Sequence, residues 1–290
     1  MILYIIGCLF FVIMITIISL ILTDRGLKNK VIKFNEKCSI GEKITTDTCF
    51  NKIKKYYINL NKSSFRRSNM EKKIKKNNIS NIERIDAINA FEKIEKNDNK
   101  YFYEDLYQPI DNIYSSKKNI ACFLSHLKAI KTSYDNGDEM SIIMEDDINL
   151  DNIRKWKYNF QEIINEFPDD LEILNLSSSK ENVKSAKIEF LNSEEITASS
   201  CVSYFITRKG MERILEKTYK EGKIYLPEKD IKYISDWFLY RNLKSYILIP
   251  KLFLLNTQDS VSDINSGMKN YLNDMKFNKI NSEMIDYYFT

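Results

Sequence analysis

The chain has 290 residues, enough for one α/β domain of about 230 residues with a full core plus an appendage, and too few for a second sizeable globular domain. Lys and Arg total 44 against 40 Asp and Glu, and the net charge of +4 is spread along the chain, so nothing in it argues for a nucleic-acid partner. Only 7 Gly and 4 Pro accompany abundant Lys, Asn and Ile, a bias that looks like AT-rich coding and lowers the information in any single Lys or Asn.

Residues 1–23 carry no charge and are rich in Ile, Leu and Phe, giving roughly 33 Å of helix, enough to cross a bilayer. A cleaved signal peptide would need a basic start, a shorter apolar run and an A-x-A site, so the expectation is an uncleaved single-pass anchor. Arg25, Lys28, Lys30, Lys33 and Lys37 follow it and nothing basic precedes it; the positive-inside rule then puts the body on the cytoplasmic side. Residues 24–55 are polar, basic and without periodicity, and are expected as a stem with at most one short helix. Cys8, Cys38, Cys49, Cys122 and Cys201 are irregularly spaced with no C-x-x-C, so spacing supports no zinc site.

A strand is expected at 56–60, then a polar loop and a helix through about Lys76 that Ser63 or Ser64 can cap. A strand, a short loop and a helix N-terminus can hold the anionic groups of a nucleotide. Arg66 and Arg67 fall in that first turn, where they sit badly with the helix dipole; they are either exposed charges or a guanidinium pair for a diphosphate or base. Another strand is expected within 82–90, and the charged, aromatic stretch 91–118 reads as a surface insertion.

Phe123, Leu124, Leu127 and Ile130 recur at three and four, predicting a helix over 120–134 with one buried face, stopped by Asn136-Gly137. Residues 141–144, reading SIIM, fit a buried strand of a parallel sheet. Glu145, Asp146 and Asp147 follow where that strand would emerge, the end at which open α/β sheets bind ligands. Three adjacent carboxylates repel one another and are most easily kept ionised by a cation; oxygen-only ligands suit Mg²⁺ or Mn²⁺. Strand alternation would put Glu145 and Asp147 on one side, as the metal pair, with Asp146 pointing away. The plain alternative is a solvated acidic turn. His126, the single histidine, is either a ligand-side group or one satisfied by a hydrogen bond near the sheet. Paired with Cys122 at i, i+4 as a nucleophile it would lack a third member and an oxyanion loop.

Further along, a helix is expected over 153–167, a strand at 171–176, a strand at 202–207 leading into a helix to Tyr219, and a strand at 246–250. Asp236 before Trp237 reads, on its own, as a helix cap with an aromatic in the core.

The text around the triplet resembles glycosyltransferase family 25, the lipooligosaccharide and procollagen galactosyltransferase group. Residues 121–127 (ACFLSHL) and 142–148 (IIMEDDI) match its "GCxLSHxxxW...G...ALILEDDV" segment in order and spacing, and the likeness covers roughly 56–265. Residues 58–67 resemble its INLDRSxxRR opening, with Asn61 in place of Asp; 82–90 resemble "xxRxxAxDG", with Asn89-Ala90 in place of Asp-Gly. Residues 204–215, 234–239 and 258–264 resemble its "YxISRKGAxxLL", "xxDWxL" and "Q...SDI" segments.

The resemblance implies a GT-A type, Rossmann-like mixed and mostly parallel sheet flanked by helices. It also implies inverting, metal-dependent transfer of a hexose from a UDP-sugar, most readily UDP-galactose or UDP-glucose, to a glycan, protein-linked or lipid-linked hydroxyl. Donor-side roles fall to Asn59, Arg66, Arg67, Ser125, His126, Asp146, Ser262 and Asp263, metal ligation to Glu145 and Asp147, and the role of base to Asp236. Residues 56–266 would form the transferase domain and 267–290 a tail. Eukaryotic relatives work in a secretory lumen, which opposes the flanking charge, and the membrane side stays open. Two other readings remain: a metal-dependent nucleotidyltransferase, which would normally bring a Gly-rich phosphate loop, and a degenerate transferase fold serving as a membrane scaffold, which Asn61 and Asn89 keep alive.

Overall fold

The computed structural model describes residues 48–90, 117–150, 153, 159–177, 189–192, 200–224, 235–249 and 251–255. A short helix α1 (Thr48–Lys52) leads into strand β1 (Lys54–Asn59). Cys49, Phe50 and Ile53 are buried, and the Phe50 ring meets Phe160 edge-on at 5.4 Å. Residues 48–55, expected as the end of a stem, therefore belong to the folded body, because their few apolar side chains outweigh their polar neighbours.

Helix α2 (Ser64–Lys76), strand β2 (Ile82–Asp86), helix α3 (Lys117–Asp135) and strand β3 (Met140–Glu145) follow. The stop after α3 lies where Asn136-Gly137 predicted it: Gly137 takes φ 75°, and the Gly137 and Asp138 N–H groups return to Tyr134 and Ser133 carbonyls, closing the last turn. Beyond β3 come β4 (Ile148–Asn149), α4 (Phe160–Asn165), β5 (Ile173–Asn175), β6 (Glu189–Asn192) and β7 (Ser203–Thr207). Then follow α5 (Arg208–Thr218), β8 (Tyr219–Lys220), β9 (Lys223–Ile224), α6 (Ser235–Asn242), β10 (Ser245–Ile249) and β11 (Leu254–Leu255).

The seven-stranded sheet runs β2-β1-β3-β7-β5-β10-β6. Pairing is parallel for β2-β1, β1-β3 and β5-β10, and antiparallel for β3-β7, β7-β5 and β10-β6. Five strands thus point one way and β7 and β6 the other, a mixed, mostly parallel α/β sheet as expected. Side chains alternate between its faces. Tyr57, Ile142 and Met144 pack with Met70 of α2 and Phe160 and Ile163 of α4. Tyr56, Ile58 and Ile143 pack with Phe123, Leu124 and Leu127 of α3, Ile214 of α5 and Phe238 of α6.

The crossover from β1 to β2 and the return from β2 over β1 to β3 run in opposite directions, which places α2 and α3 on opposite faces when both are right-handed. The sheet order reverses between β1 and β3, and a crevice opens there at the carboxyl ends of the strands.

One local boundary differs from the sequence expectations, and two elements were not expected. Helix α4 begins at Phe160, not 153, because Asn159 and Glu162 form a reciprocal capping box; residues 154–158 lie outside the described set. Strand β6 pairs with β10, and its Phe190 meets Phe167 edge-on at 5.9 Å. The β8-β9 hairpin turns on Glu221 and Gly222, both at positive φ, the backbone that two-residue hairpins require. Among the described residues no helix is long and apolar enough to cross a membrane. The expected anchor at 1–23 and the expected tail at 267–290 lie outside the described residues.

Candidate active site

A cleft of about 200 Å³ sits at the β1/β3 crevice. One wall is Ile58, Leu60, Lys62 and Arg66 from the β1-α2 connection; Ala87, Ile88, Asn89 and Ala90 form the rim after β2; Lys118, Ala121, Cys122, Ser125 and His126 come from α3; Glu145, Asp146 and Asp147 close the end of β3. The α3 residues recur at three and four on the face beside the apolar one, so one helix supplies core and cleft together.

The register explains why the acids converge here. Ile58 lies opposite Glu145, and Asn59 opposite Asp86, so three parallel strands end side by side. β3 stops at Glu145, and Asp146 and Asp147 form a turn before β4. Strand alternation therefore no longer applies, and Asp146 does not point away from the cleft as expected: all three carboxylates line it.

Each acid has a different setting. Asp146 accepts from Asn59 Nδ2 at 2.6 Å and lies 3.4 Å from Arg66 Nε. Glu145 Oε1 is 3.2 Å from His126 Nε2. Asp147 Oδ1 is buried and has no hydrogen-bond partner among the described residues. Burial first, then the Glu145 and Asp146 charges, push the Asp147 carboxyl up to about 7, against the opposing pull of Arg66. An orphaned buried carboxylate oxygen beside two further carboxylates fits a hard divalent cation, which takes oxygen ligands and which the Arg66 charge alone does not replace at Asp147.

The supporting contacts sort the sequence-predicted residues. Asn59 is buried behind Asp146, donating to it and to the Ser63 carbonyl while its Oδ1 accepts from Arg84; it positions the acid and does not line the cleft. Arg66 reaches the cleft. Arg67 does not, and donates instead to Asn61 Oδ1 at 3.3 Å on the exposed side. Ser63 is the N-cap of α2, yet its side chain makes no capping bond; the hydroxyl accepts from Arg66 at 3.4 Å.

Ser125 donates to the Ala121 carbonyl at 2.6 Å and accepts the Ile88 N–H at 2.9 Å, pinning the 87–90 rim to α3. His126 is fully buried, held on its Nδ1 side by the Tyr204 hydroxyl at 3.2 Å. Asp236 Oδ2 accepts the Ser200 N–H and Oδ1 the Trp237 N–H, both at 3.0 Å. It is outside the cleft lining but adjoins it through Ser235, whose hydroxyl touches Cys122 Sγ at 3.5 Å. Ser262 and Asp263 lie outside the described residues.

Lys62, Lys118 and Cys122 line the cleft without having been expected there. The i, i+3, i+4 spacing of Lys118, Ala121, Cys122, Ser125 and His126 was the available signal for the last two. Tyr204 could not be linked to His126 from the chain alone, because 78 positions separate them. Burial first, then the Glu145 charge, push the Cys122 thiol up.

The sequence profile of glycosyltransferase family 25 (LPS biosynthesis protein) matches residues 52–227, more than half of the chain and every wall of the cleft. The chain belongs to glycosyltransferase family 25. Its activity class is glycosyl transfer, in glycan biosynthesis, and a sugar donor and a glycan acceptor are its substrates. The family 25 match begins at Lys52, inside α1, in keeping with a folded body that starts before residue 56. No curated protein matches this chain.

Proposed function

We propose that this family 25 enzyme has a GT-A type domain and transfers a hexose, galactose or glucose, from a UDP-sugar to a hydroxyl of a glycan, protein-linked or lipid-linked acceptor, with Mn²⁺ or Mg²⁺ and inversion at the anomeric carbon. The observation that carries the reading is the unpartnered, buried Asp147 Oδ1 beside Glu145 and Asp146 at the sheet's switch point.

Glu145 and Asp147 would hold the ion, which when bound supplies positive charge against the charge building on the leaving diphosphate. Asp146, fixed by Asn59 and Arg66, keeps the turn in place and anchors the guanidinium at the cleft wall. Arg66 and Lys62 then face the diphosphate, beside the first N–H groups of α2, which Ser63 leaves uncapped. The rim pinned by Ser125 shapes the donor side.

Asp236 is the proposed base. Its two N–H partners leave acceptor capacity on the carboxylate, and Ser235 places it beside the Cys122 wall. A single displacement in which Asp236 takes the acceptor proton as the hydroxyl attacks inverts the anomeric centre. The segment 1–23 would hold the domain at a membrane, on a side the flanking charge and the family's eukaryotic members assign differently.

The test is a donor screen measuring UDP released from a panel of UDP-sugars with Mn²⁺. UDP-galactose or UDP-glucose should give the largest signal even without acceptor, water replacing the hydroxyl slowly. No release from any UDP-sugar with either ion, or full release in excess chelator, would remove this mechanism.

A further inference from the structure

Cysteine spacing along the chain offers no zinc site, but the fold assembles soft-metal ligands from two elements. Cys122 and His126 stand one turn apart on the cleft face of α3, and Glu145 meets them from the end of β3. The thiol sulfur, an imidazole nitrogen and a carboxylate oxygen lie within 4.8 Å of one another. A tetrahedral zinc centre, with bonds of about 2.0–2.3 Å, sets its ligand atoms about 3.3–3.6 Å apart. His126 Nε2 and Glu145 Oε1 are already 3.2 Å apart, and the thiol, no more than 4.8 Å from either, need close by at most about 1.2–1.5 Å to complete that geometry.

The outer contacts point the same way. The Tyr204 hydroxyl, 3.2 Å from His126 Nδ1, holds the ring with Nε2 toward Glu145, as hydrogen-bond partners of metal-binding imidazoles do. A hydroxyl both donates and accepts, so Tyr204 suits either tautomer of His126, and with Nε2 on a metal the ring proton sits on Nδ1 and is donated to Tyr204. All three ligands line the cleft, and the part-exposed Cys122 and Glu145 give an ion its entry path to the buried His126.

We propose that Cys122, His126 and Glu145 form a second cation site, selective for a thiophilic divalent ion, Zn²⁺ above all, that shares Glu145 with the oxygen pair Glu145 and Asp147. Thiolate and imidazole favour zinc over Mn²⁺ or Mg²⁺. Ligation forms the metal–sulfur bond and releases the Cys122 proton to solvent. Two ions contending for one carboxylate make zinc an inhibitor of the transferase; that consequence, unlike the binding itself, rests on the proposed function.

The test uses the full chain, reduced and stripped of metal, titrated with Co²⁺ as a coloured stand-in for zinc. One equivalent should raise a thiolate-to-cobalt charge-transfer band in the near ultraviolet, which one equivalent of Zn²⁺ erases. Cys122→Ser should abolish the band, and Cys201→Ala should retain it. His126→Gln should weaken Co²⁺ binding at least tenfold, with circular dichroism confirming that each variant is folded. No band in the wild type, a band persisting in Cys122→Ser, or wild-type cobalt affinity in His126→Gln would overturn the site. Where Mn²⁺-dependent UDP release is measurable, Zn²⁺ should inhibit it, Mn²⁺ should relieve the inhibition, and Cys122→Ser should need at least tenfold more zinc. Unchanged zinc sensitivity would overturn the sharing of Glu145. A cobalt band in a protein that releases UDP from no UDP-sugar would support the site and refute the transferase mechanism.

Discussion

Removing the charge of Asp147 should make the metal-free protein more stable while making it inactive. Its carboxyl lies at about 7 against an ordinary 3.8, so the folded state holds a proton that the unfolded chain gives up. For an acid raised in this direction the ionised form is the costly one. The penalty is absent below about pH 4, grows as pH rises between the two values and is complete above about 7. A displacement of that size corresponds to about 4 kcal/mol at most. Because burial is the first cause of the shift, and a buried amide in place of the carboxylate still forgoes its water, roughly half is expected. In a domain of this size about 2 kcal/mol is about 4–8 °C in Tm. Differential scanning calorimetry of wild type and Asp147→Asn in chelator at pH 8 and pH 5 should show the variant melting higher, by more at pH 8. Added Mn²⁺ should raise the wild-type Tm and move the variant little. A variant that melts at or below wild type at pH 8 would refute the argument, since the carboxylate would then already have a partner that satisfies its charge.

Asp236→Asn should retain donor binding and lose roughly 10²-fold or more in transfer; normal transfer with a lowered Tm would leave Asp236 as a tether for the Ser200 and Trp237 N–H groups. Gly210→Ala would place a Cβ 2.5 Å from the Glu172 carbonyl oxygen, and overpacking of this kind costs about 1–3 kcal/mol, readable as a fall in urea midpoint at unchanged slope. Deleting residues 1–23 should yield a soluble protein with the full melting transition, because the described core begins at Cys49; a truncated protein that cannot fold would make the segment part of that core.

What the sequence made legible was what short-range periodicity controls. The apolar spacing of Phe123, Leu124, Leu127 and Ile130 located α3, and the SIIM run located β3 and so the acids at its end. The orientation of Asp146 was not legible, because it depends on β3 ending one residue before it, a choice made by the turn into β4 and by the waiting Asn59 donor. Nor was the place of Asn59, whose partners Arg84 and Asp146 stand 25 and 87 positions away. Strand β6 escaped because its partner β10 stands 54 to 60 positions further along the chain. Asp236 shows the limit from the other side: its residue type suits both cap and base, but the structure places it inside the first turn of α6, tethering the Ser200 and Trp237 N–H groups.

Strand β7 runs against its neighbours, so it brings its beginning, not its end, to the edge where β1 and β3 finish. Glu145 N–H donates to the Val202 carbonyl at 2.8 Å, and the Ser200 N–H holds Asp236. In a wholly parallel sheet every loop at that edge leads from a strand into a crossover and inherits its length from the helix that must follow. Here the chain also arrives at that edge, at Ser200, to begin a strand that runs away from it. Substitutions at that arrival point would change the surface beside the acids without moving the strands that carry them, a route by which a lineage, or a protein engineer, changes specificity.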